Sequence, residues 1–272
     1  MKFATLAFAG AVALLVANVA TASPLSNFYV TIENPGEENA NPNYFEYYGV
    51  ETFNNVTNGR HSTYETNFGG GSINGTYTDL AVKVADVYGG AGHEGNYAIA
   101  GFQNLYPNVP LQDSGSYTLD LTNTDPLSGG MVNYFGYWLS ALNVGNTIKF
   151  YQDSEIIATF TPEDVIALIG TDYKTNPNGP YFSGPDDGED FVFINFFYIG
   201  NDYGFNRIVF EESYNYWGTI FESDNHTVGW WDETGGTPII FQSTVPEPAS
   251  LVLFGTGLGV LGLTAWRKWM KK

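Results

Sequence analysis

Acidic side chains are the groups in this sequence whose types and spacing are best suited to chemistry. They occur as adjacent pairs: Asp186-Asp187, Glu189-Asp190, Glu211-Glu212 and Asp232-Glu233. Hydrolysis of a glycosidic bond needs two carboxylates about 5–10 Å apart across a cleft, so these pairs are compatible with an extracellular glycoside hydrolase. However, an acid-rich surface produces such pairs by chance, and no Gly-x-Ser-x-Gly or other nucleophile motif accompanies them. We therefore predict no catalytic residues and a protein that is not an enzyme.

The acidic residues are better suited to calcium binding than to glycoside hydrolysis. Ca²⁺ takes clustered oxygen ligands from carboxylates, amides and backbone carbonyls without demanding one geometry. The first candidate ligands share one turn and are Asp186, Asp187, Glu189 and Asp190. The second candidate set, which requires the first and last long strands to pair, is Glu51, Asp224 and Asn225. For both sets the alternative is a solvated acidic loop.

Aromatic side chains offer a second kind of site, because sugars stack on exposed rings beside amides and carboxylates. The large rings are densest toward the end of the body, where the candidate glycan platform is Tyr214, Tyr216, Trp217, Trp230 and Trp231. Since adjacent strand residues face opposite ways, Trp230 and Trp231 do not both point to the same side of a sheet. The alternative is that most of these rings belong to the core.

A transition-metal centre is not indicated. The chain has no cysteine, which excludes disulfides, thiolate metal sites and a cysteine nucleophile. The three histidines, His61, His93 and His226, are not at a ligand spacing such as i, i+4.

The charge of the chain restricts its partners. The formal net charge is -19, from 10 Lys and Arg against 29 Asp and Glu, and half of the basic residues lie at the two ends. Such a surface repels phosphate backbones and anionic lipid, which argues against nucleic-acid binding and leaves neutral glycans and divalent cations as ligands.

The candidate acidic and aromatic site residues must be positioned by the rest of the body. The body consists of short apolar and aromatic runs between clusters of Gly, Asn, Asp and Pro, and this pattern predicts an all-β fold. In Thr147–Tyr151 and Arg207–Glu211, alternate residues are apolar, whereas Phe191–Ile199 is apolar almost throughout and predicts a central strand covered on both faces. The other candidate strands are Phe28–Ile32, Phe45–Phe53, Gly75–Thr78, Leu80–Val84, Tyr97–Phe102, Tyr117–Leu121, Val132–Ala141, Glu155–Phe160, Gly218–Glu222 and His226–Trp231.

One short helix is expected inside this body. Thr161 is suited to the N-cap, Pro162 to the first helical position, and Glu163 and Asp164 to the first turn, where acids interact favourably with the helix dipole. Gly170 would end the helix.

The first 22 residues have the features of a secretory signal peptide. Lys2 provides a positive start, Leu6–Val19 is apolar, and Ala20-Thr21-Ala22 is a small-x-small cleavage site. We therefore expect an N-terminal signal helix, with Sec-type export machinery and signal peptidase as partners.

The C-terminal end combines three features in order. Val245, Pro246, Glu247 and Pro248 come first, followed by the uncharged stretch Ala249–Trp266. Eighteen helical residues span about 27 Å, which predicts a single transmembrane helix. The basic residues that would hold its far end in the cytoplasm are Arg267, Lys268, Lys271 and Lys272.

This order resembles the PEP-CTERM sorting signal. The resemblance implies that an exosortase, a membrane protein, recognises the Pro-Glu-Pro motif and removes the tail. It also implies an inner-membrane intermediate, followed by a place at the cell surface or in the extracellular matrix, where biofilm is formed. Contact with the membrane is then expected only through the tail, before processing.

The body resembles a family of exosortase-dependent surface proteins. The motifs that carry this resemblance are the Gly-rich segment Tyr88–Tyr97, the strand Tyr134–Ala141, the N-T-I-x-F-Y pattern at Asn146–Tyr151, and the closing segments Phe205–Phe210 and Phe221–Asn225. Similar closing strands occur in lectin-like jelly rolls. The resemblance implies location and fold rather than an activity.

These observations predict a signal peptide at residues 1–22, one antiparallel jelly-roll-like β-sandwich with a short helix at residues 23–244, and a sorting tail at residues 245–272. The expected function is a structural or adhesive role at the cell surface. The alternatives are a carbohydrate-binding, lectin-like module that contacts extracellular polysaccharide and, less favoured, a glycoside hydrolase.

Overall fold

The body is an all-β structure, as the sequence predicts. The computed structural model describes residues 27–33, 37–85, 89–101, 115–140, 145–161, 163–164, 192–200, 204–213 and 220–231. Within these ranges there are twelve strands: β1 (Phe28–Ile32), β2 (Phe45–Glu51), β3 (Gly59–Thr66), β4 (Ile73–Val84), β5 (Asn96–Gly101), β6 (Ser116–Asn123), β7 (Tyr134–Leu139), β8 (Asn146–Gln152), β9 (Glu155–Phe160), β10 (Val192–Tyr198), β11 (Arg207–Glu212) and β12 (Ile220–Trp231).

The strands form one antiparallel sheet that curls on itself. Ten strands follow the order β1-β10-β7-β12-β5-β4-β6-β11-β8-β9, while β2 pairs with β12 and β3 pairs with β4. Rings from the two ends of this order meet: Phe196 of β10 lies 4.8 Å from Phe160 of β9. Phe135 of β7 lies 5.8 Å from Phe210 of β11, measured between ring centroids. The two halves of the sheet therefore face each other across a shared core, and a jelly-roll strand order is not established.

Strands β4 and β12 hold the two halves together. β4 pairs with β6 through residues 73–78 and with β5 through residues 81–84. Between these segments Asp79 has a φ of 60°. At this point β4 changes its neighbour from β6 to β5, while its pairing with β3 continues without a register shift. The prediction of two strands on either side of Asp79 is therefore wrong, because the polar residue marks a bend and not an end.

β12 makes the same change of partner. Its first half pairs with β5 and its second half with β2, with an irregularity between Asp224 and Thr227 on the side of β7. Asn225 has a φ of 48° at this point. The prediction of separate strands at Gly218–Glu222 and His226–Trp231 is therefore wrong, since one strand runs through both.

Strand β3 was not predicted from the sequence. Its eight residues, Gly59–Thr66, are mainly polar, and every one of them is at least partly exposed. β3 bonds to β4 over most of its length. An edge strand with little burial carries no alternation of apolar residues that would predict it.

The main core is aromatic and fills the space between the two halves. Ile148 and Phe150 of β8 and Ile208 and Phe210 of β11 are buried in it, which confirms the alternation read from the sequence. Strand β10 is buried at all seven positions and lies between β1 and β7, which confirms it as a central strand.

A second apolar cluster explains why β10 is covered on both faces. Trp138, Phe193, Phe197 and Trp231 pack together on the outer side of β7, β10 and β12, against Ala40 and Ala91. These two alanines come from the segments before β2 and before β5. These two segments thereby cover the outer face of the sheet, opposite the face that packs on the main core.

Other parts of the predicted architecture lie mostly outside the described residues. Thr161 and Asp164 exchange hydrogen bonds, with Thr161 N donating to Asp164 Oδ2 (3.0 Å) and Asp164 N donating to Thr161 Oγ1 (3.3 Å), as expected of a helix start. The rest of that helix, the signal helix and the tail helix fall outside the described ranges. Within those ranges, no helix has the length and apolar character that a membrane crossing requires.

Candidate functional site

Strand pairing brings the second predicted calcium set together. β2 and β12 are antiparallel neighbours, and Glu51 lies opposite His226, two residues from Asp224. The chain fold therefore meets the condition on which the grouping of Glu51, Asp224 and Asn225 depends. All three residues are at least nine-tenths buried.

The oxygens of these two carboxylates already have protein partners. Glu51 Oε1 accepts a hydrogen bond from Phe53 N (2.8 Å), and Glu51 Oε2 accepts one from Tyr64 Oη (2.8 Å). Asp224 Oδ2 accepts from Ala91 N (2.8 Å), and Asp224 Oδ1 accepts from Asn225 N (2.7 Å). The carboxylates thus tie loops to strands. Among the residues that the structure describes, no group of three His, Asp or Glu side chains is arranged to hold a metal ion.

Asp224 is in an unfavourable place for a negative charge. It is 2% exposed. Burial raises the pKa of Asp224 from 3.8 to about 7; the amides of Ala91 and Asn225 partly oppose this rise, whereas the nearby charges of Glu38 and Glu51 add to it. Asp224 therefore changes charge close to neutral pH, which sequence position alone did not suggest.

A cleft of about 440 Å³ lies beside Asp224. Its lining includes Glu38, Asn54, Glu94 and Asn225. The Gly-rich loop closes one side: Gly92 has a φ of 62°, and a Cβ on it would lie 2.5 Å from Glu38 Oε1. Glycine is favoured here because the backbone has a left-handed φ, which L side chains rarely adopt.

A buried polar network beneath Asp224 was missed by the sequence analysis. His226 is fully buried, and its Nδ1 is 2.9 Å from Tyr77 Oη. Its Nε2 is 3.0 Å from Ser223 Oγ, which is itself 2.7 Å from Tyr117 Oη. The His226 ring stacks on Phe210 at 4.9 Å. Tyr77 and Tyr117 from other strands and Ser223 from β12 itself satisfy these polar atoms, so the network makes the burial of a histidine tolerable.

The Ser223–His226 pair has the atoms of a nucleophile and a base, but it lacks the solvent access that a nucleophile and a base need. Both residues are 0% exposed. Burial lowers the pKa of His226 to about 3, so the imidazole stays neutral at neutral pH. A substrate in solution does not reach this serine, and the pair acts as part of the core.

The two tryptophans of the predicted platform lie in different surroundings. Trp231 is 6% exposed and its ring lies 5.3 Å from Phe197 in the outer cluster, whereas Trp230 is partly exposed. Trp230 is thus the better placed of the two for contact with a ligand. Whether it binds a glycan stays a prediction.

The remaining predicted site residues lie outside the described residues. They are the first calcium set, Asp186, Asp187, Glu189 and Asp190; the platform residues Tyr214, Tyr216 and Trp217; the motif Val245, Pro246, Glu247 and Pro248; and the basic end, Arg267, Lys268, Lys271 and Lys272. Calcium binding likewise stays a prediction.

Comparison with known protein families identifies the C-terminal segment. Residues 244–270 match the PEP-CTERM protein-sorting motif. The chain therefore carries a PEP-CTERM sorting signal, as the tail predicts. The motif implies export, sorting to the cell surface through the membrane, and processing by an exosortase. Neither a curated protein nor a solved structure matches the chain.

Proposed function

We propose that this chain is an exported cell-surface protein with a structural or adhesive role, which reaches its place through signal-peptide cleavage and exosortase processing of its tail. The sorting motif at residues 244–270 carries the proposal. The route would run through Sec-type export and an inner-membrane intermediate, with release to the surface or the extracellular matrix once the tail is removed.

The construction of the body supports a structural role. No disulfide is available to a chain without cysteine, so packing must stabilise it outside the cell. The interlocked rings of the core and the hydrogen-bonded network at His226 provide that packing. Aromatic rings bury large areas and stabilise the folded state accordingly.

We further propose that the body is not an enzyme. The Ser223–His226 pair is sealed inside the core. The carboxylates of Glu51 and Asp224 accept hydrogen bonds from backbone amides and a tyrosine. These contacts suit groups that hold loops to strands in a fold.

Intact mass of the protein recovered from cells with and without their exosortase tests this proposal. The wild type should lose residues 1–22 and the apolar tail only where the exosortase is present. The variant Pro246→Ala/Glu247→Ala should keep Arg267–Lys272 and stay in the membrane fraction. The control Ser243→Ala, just outside the matched segment, should be processed normally. A wild-type surface form that retains Arg267–Lys272 would contradict the proposal.

A further inference from the structure

A groove runs between β2 and β3 and reaches the first residues of β4. The two strands follow each other in the chain, but β2 pairs with β12 and β3 pairs with β4. One backbone hydrogen bond, from Val50 N to Phe68 O (3.0 Å), links β2 to the turn after β3. The groove of about 750 Å³ lies between the strands, beside the hydrogen bond from Tyr64 Oη on β3 to Glu51 Oε2 on β2. This volume is within the range of sites that hold small organic ligands.

The groove is lined by uncharged hydrogen-bonding groups around one ring. Tyr64 lies in the lining and is partly exposed. Besides two carboxylates, the other polar side chains of the lining are three amides and three hydroxyls: Asn55, Asn67, Asn74, Thr52, Thr66 and Thr76. A partly exposed ring with amides and hydroxyls at its sides is the combination that recognises a hydroxyl-rich ring.

The floor of the groove is held rigidly. Tyr64 Oη donates to Glu51 Oε2, and Glu51 Oε1 is fixed by Phe53 N. The Tyr64 ring stacks over the fully buried Tyr77, with 5.9 Å between centroids and 25° between planes. A ring fixed in this way loses little conformational freedom when a ligand covers it, which favours binding.

The rim retains hydrogen-bonding capacity for a ligand. Asn55 and Asn74 are exposed, and their side chains make no hydrogen bond within the part of the chain that the structure describes. Asn67 uses its Oδ1 to accept from Gly69 N (3.2 Å), so its amide protons remain for another acceptor. Donors and acceptors are therefore both present along the groove.

The charges around the groove restrict the class of ligand. The charged side chains in its lining are Glu51 and Glu65. Of the basic residues in the described body, Arg60, Lys149 and Arg207 pair with Asp79, Glu211 and Asp120, and Lys83 lies over the ring of Tyr97. None of these four lines the groove. Uronates, sulfated sugars and phosphates would be repelled.

We propose that the groove between β2 and β3, centred on Tyr64, binds a neutral polysaccharide. The ring of Tyr64 covers the apolar face of one sugar unit, and Asn55 and Asn74 bond to hydroxyls at its edge. This site is distinct from the tryptophan platform. Binding of a polysaccharide does not depend on the proposed surface location. Its biological role does rest on that proposed function, because the polysaccharide would be the material to which an adhesive body adheres.

Affinity gel electrophoresis of the full-length chain in detergent tests the proposal. Gels would contain β-1,3-glucan, xylan, galactomannan or dextran, with polygalacturonate as the acidic comparison. We expect at least one neutral polysaccharide to retard the chain and polygalacturonate not to. Retardation by polygalacturonate, or by none of the neutral polymers, would overturn the proposal.

Substitutions locate the binding in the groove. Asn55→Ala/Asn74→Ala should weaken retention about tenfold, as expected for lost hydrogen bonds to a ligand. The control Asn58→Ala removes an exposed amide outside the groove and should bind as the wild type does. Equal affinity of the double variant and the wild type would refute the assignment. Because both asparagines are exposed, the thermal midpoint of the double variant should not change.

Tyrosine variants separate the ring from its hydroxyl. Tyr64→Ala should weaken retention at least about tenfold, and Tyr64→Phe, which keeps the ring, should retain binding. Tyr29→Ala, which removes a tyrosine that is 37% exposed on β1, is the matched control. Binding lost equally in Tyr64→Phe and Tyr64→Ala would argue against stacking. Retention in gels does not depend on tail processing. The glycan proposal and the sorting proposal can therefore fail independently of each other.

Discussion

Asp224 should make the folded body less stable as the pH rises from about 4 to about 7. Its pKa is 3.8 in an ordinary setting and about 7 in the fold, mainly because the carboxyl is buried. Between these values the folded state binds a proton that the unfolded chain has already released. Protonation therefore stabilises the fold at low pH, and this contribution is lost as the pH rises through about 7.

The size of this effect follows from the same two values. A tenfold change in proton affinity is worth about 1.4 kcal/mol, so a pKa rise from 3.8 to about 7 corresponds to about 4 kcal/mol of unfolding free energy. At 2% exposure Asp224 has little solvent to screen its charge. The full effect is spread over the whole pH interval rather than concentrated at one value.

The variant Asp224→Asn isolates this contribution. Urea unfolding followed by tryptophan fluorescence at several pH values gives the free energy of unfolding of both proteins. The unfolding free energy of the wild type minus that of the variant should fall by about 4 kcal/mol between pH 4 and pH 7.5. Other carboxyl groups, such as Glu33, whose pKa burial raises, contribute to both proteins and cancel in the difference. A difference that does not change with pH would refute the reasoning.

Two further predictions concern His226 and calcium. Because burial lowers the pKa of His226 to about 3, its contribution to stability is present above pH 6.5 and is lost as the pH falls toward 3. His226→Gln should be less stable than the wild type at pH 7 but should lose less stability on acidification, which urea unfolding at pH 4 and 7 would measure; parallel losses would contradict this. Calcium should raise the thermal midpoint of the chain by occupying the acidic turn. Asp186→Asn/Asp187→Asn should abolish that rise, and identical wild-type midpoints in calcium and in chelator would remove calcium from the account.

Hydrophobic periodicity predicted the parts of the fold where one residue type dominates a face. β8 and β11 were located because apolar residues alternate at their centres, and β10 because nearly all of its residues are apolar. β3 escaped because an edge strand buries little. Asp79 and Asn225 were left between predicted strands; both are short polar residues with a left-handed φ, which such side chains tolerate in turns. The same preference also permits a bulge inside a continuous strand, and local sequence does not distinguish the two.

The candidate site was predicted less completely, because its groups are assembled over long distances in the chain. The grouping of Glu51 with Asp224 and Asn225 was anticipated on the condition that the first and last long strands pair, and β2 does pair with β12. The burial of His226 was not, since its hydrogen-bonding partner Tyr77 is 149 positions away. A polar stretch such as Glu222–Thr227 has the sequence pattern of an exposed turn. Its burial becomes apparent only when the strands that supply hydrogen-bonding partners to its polar groups are known.

The position of β12 explains why a strand with so many polar residues is buried throughout its middle. It bonds to β7 on one side and to β5 and then β2 on the other, so its backbone is paired along nearly its whole length. Tyr77 and Tyr117 approach its inward-facing side chains from the opposite half of the sheet. Tyr77 also supports the ring of Tyr64, which is bonded to Glu51 on β2. The polar centre of the core thus continues into the floor of the groove, and the groove derives its rigidity from buried hydrogen bonds rather than from its own edge strands.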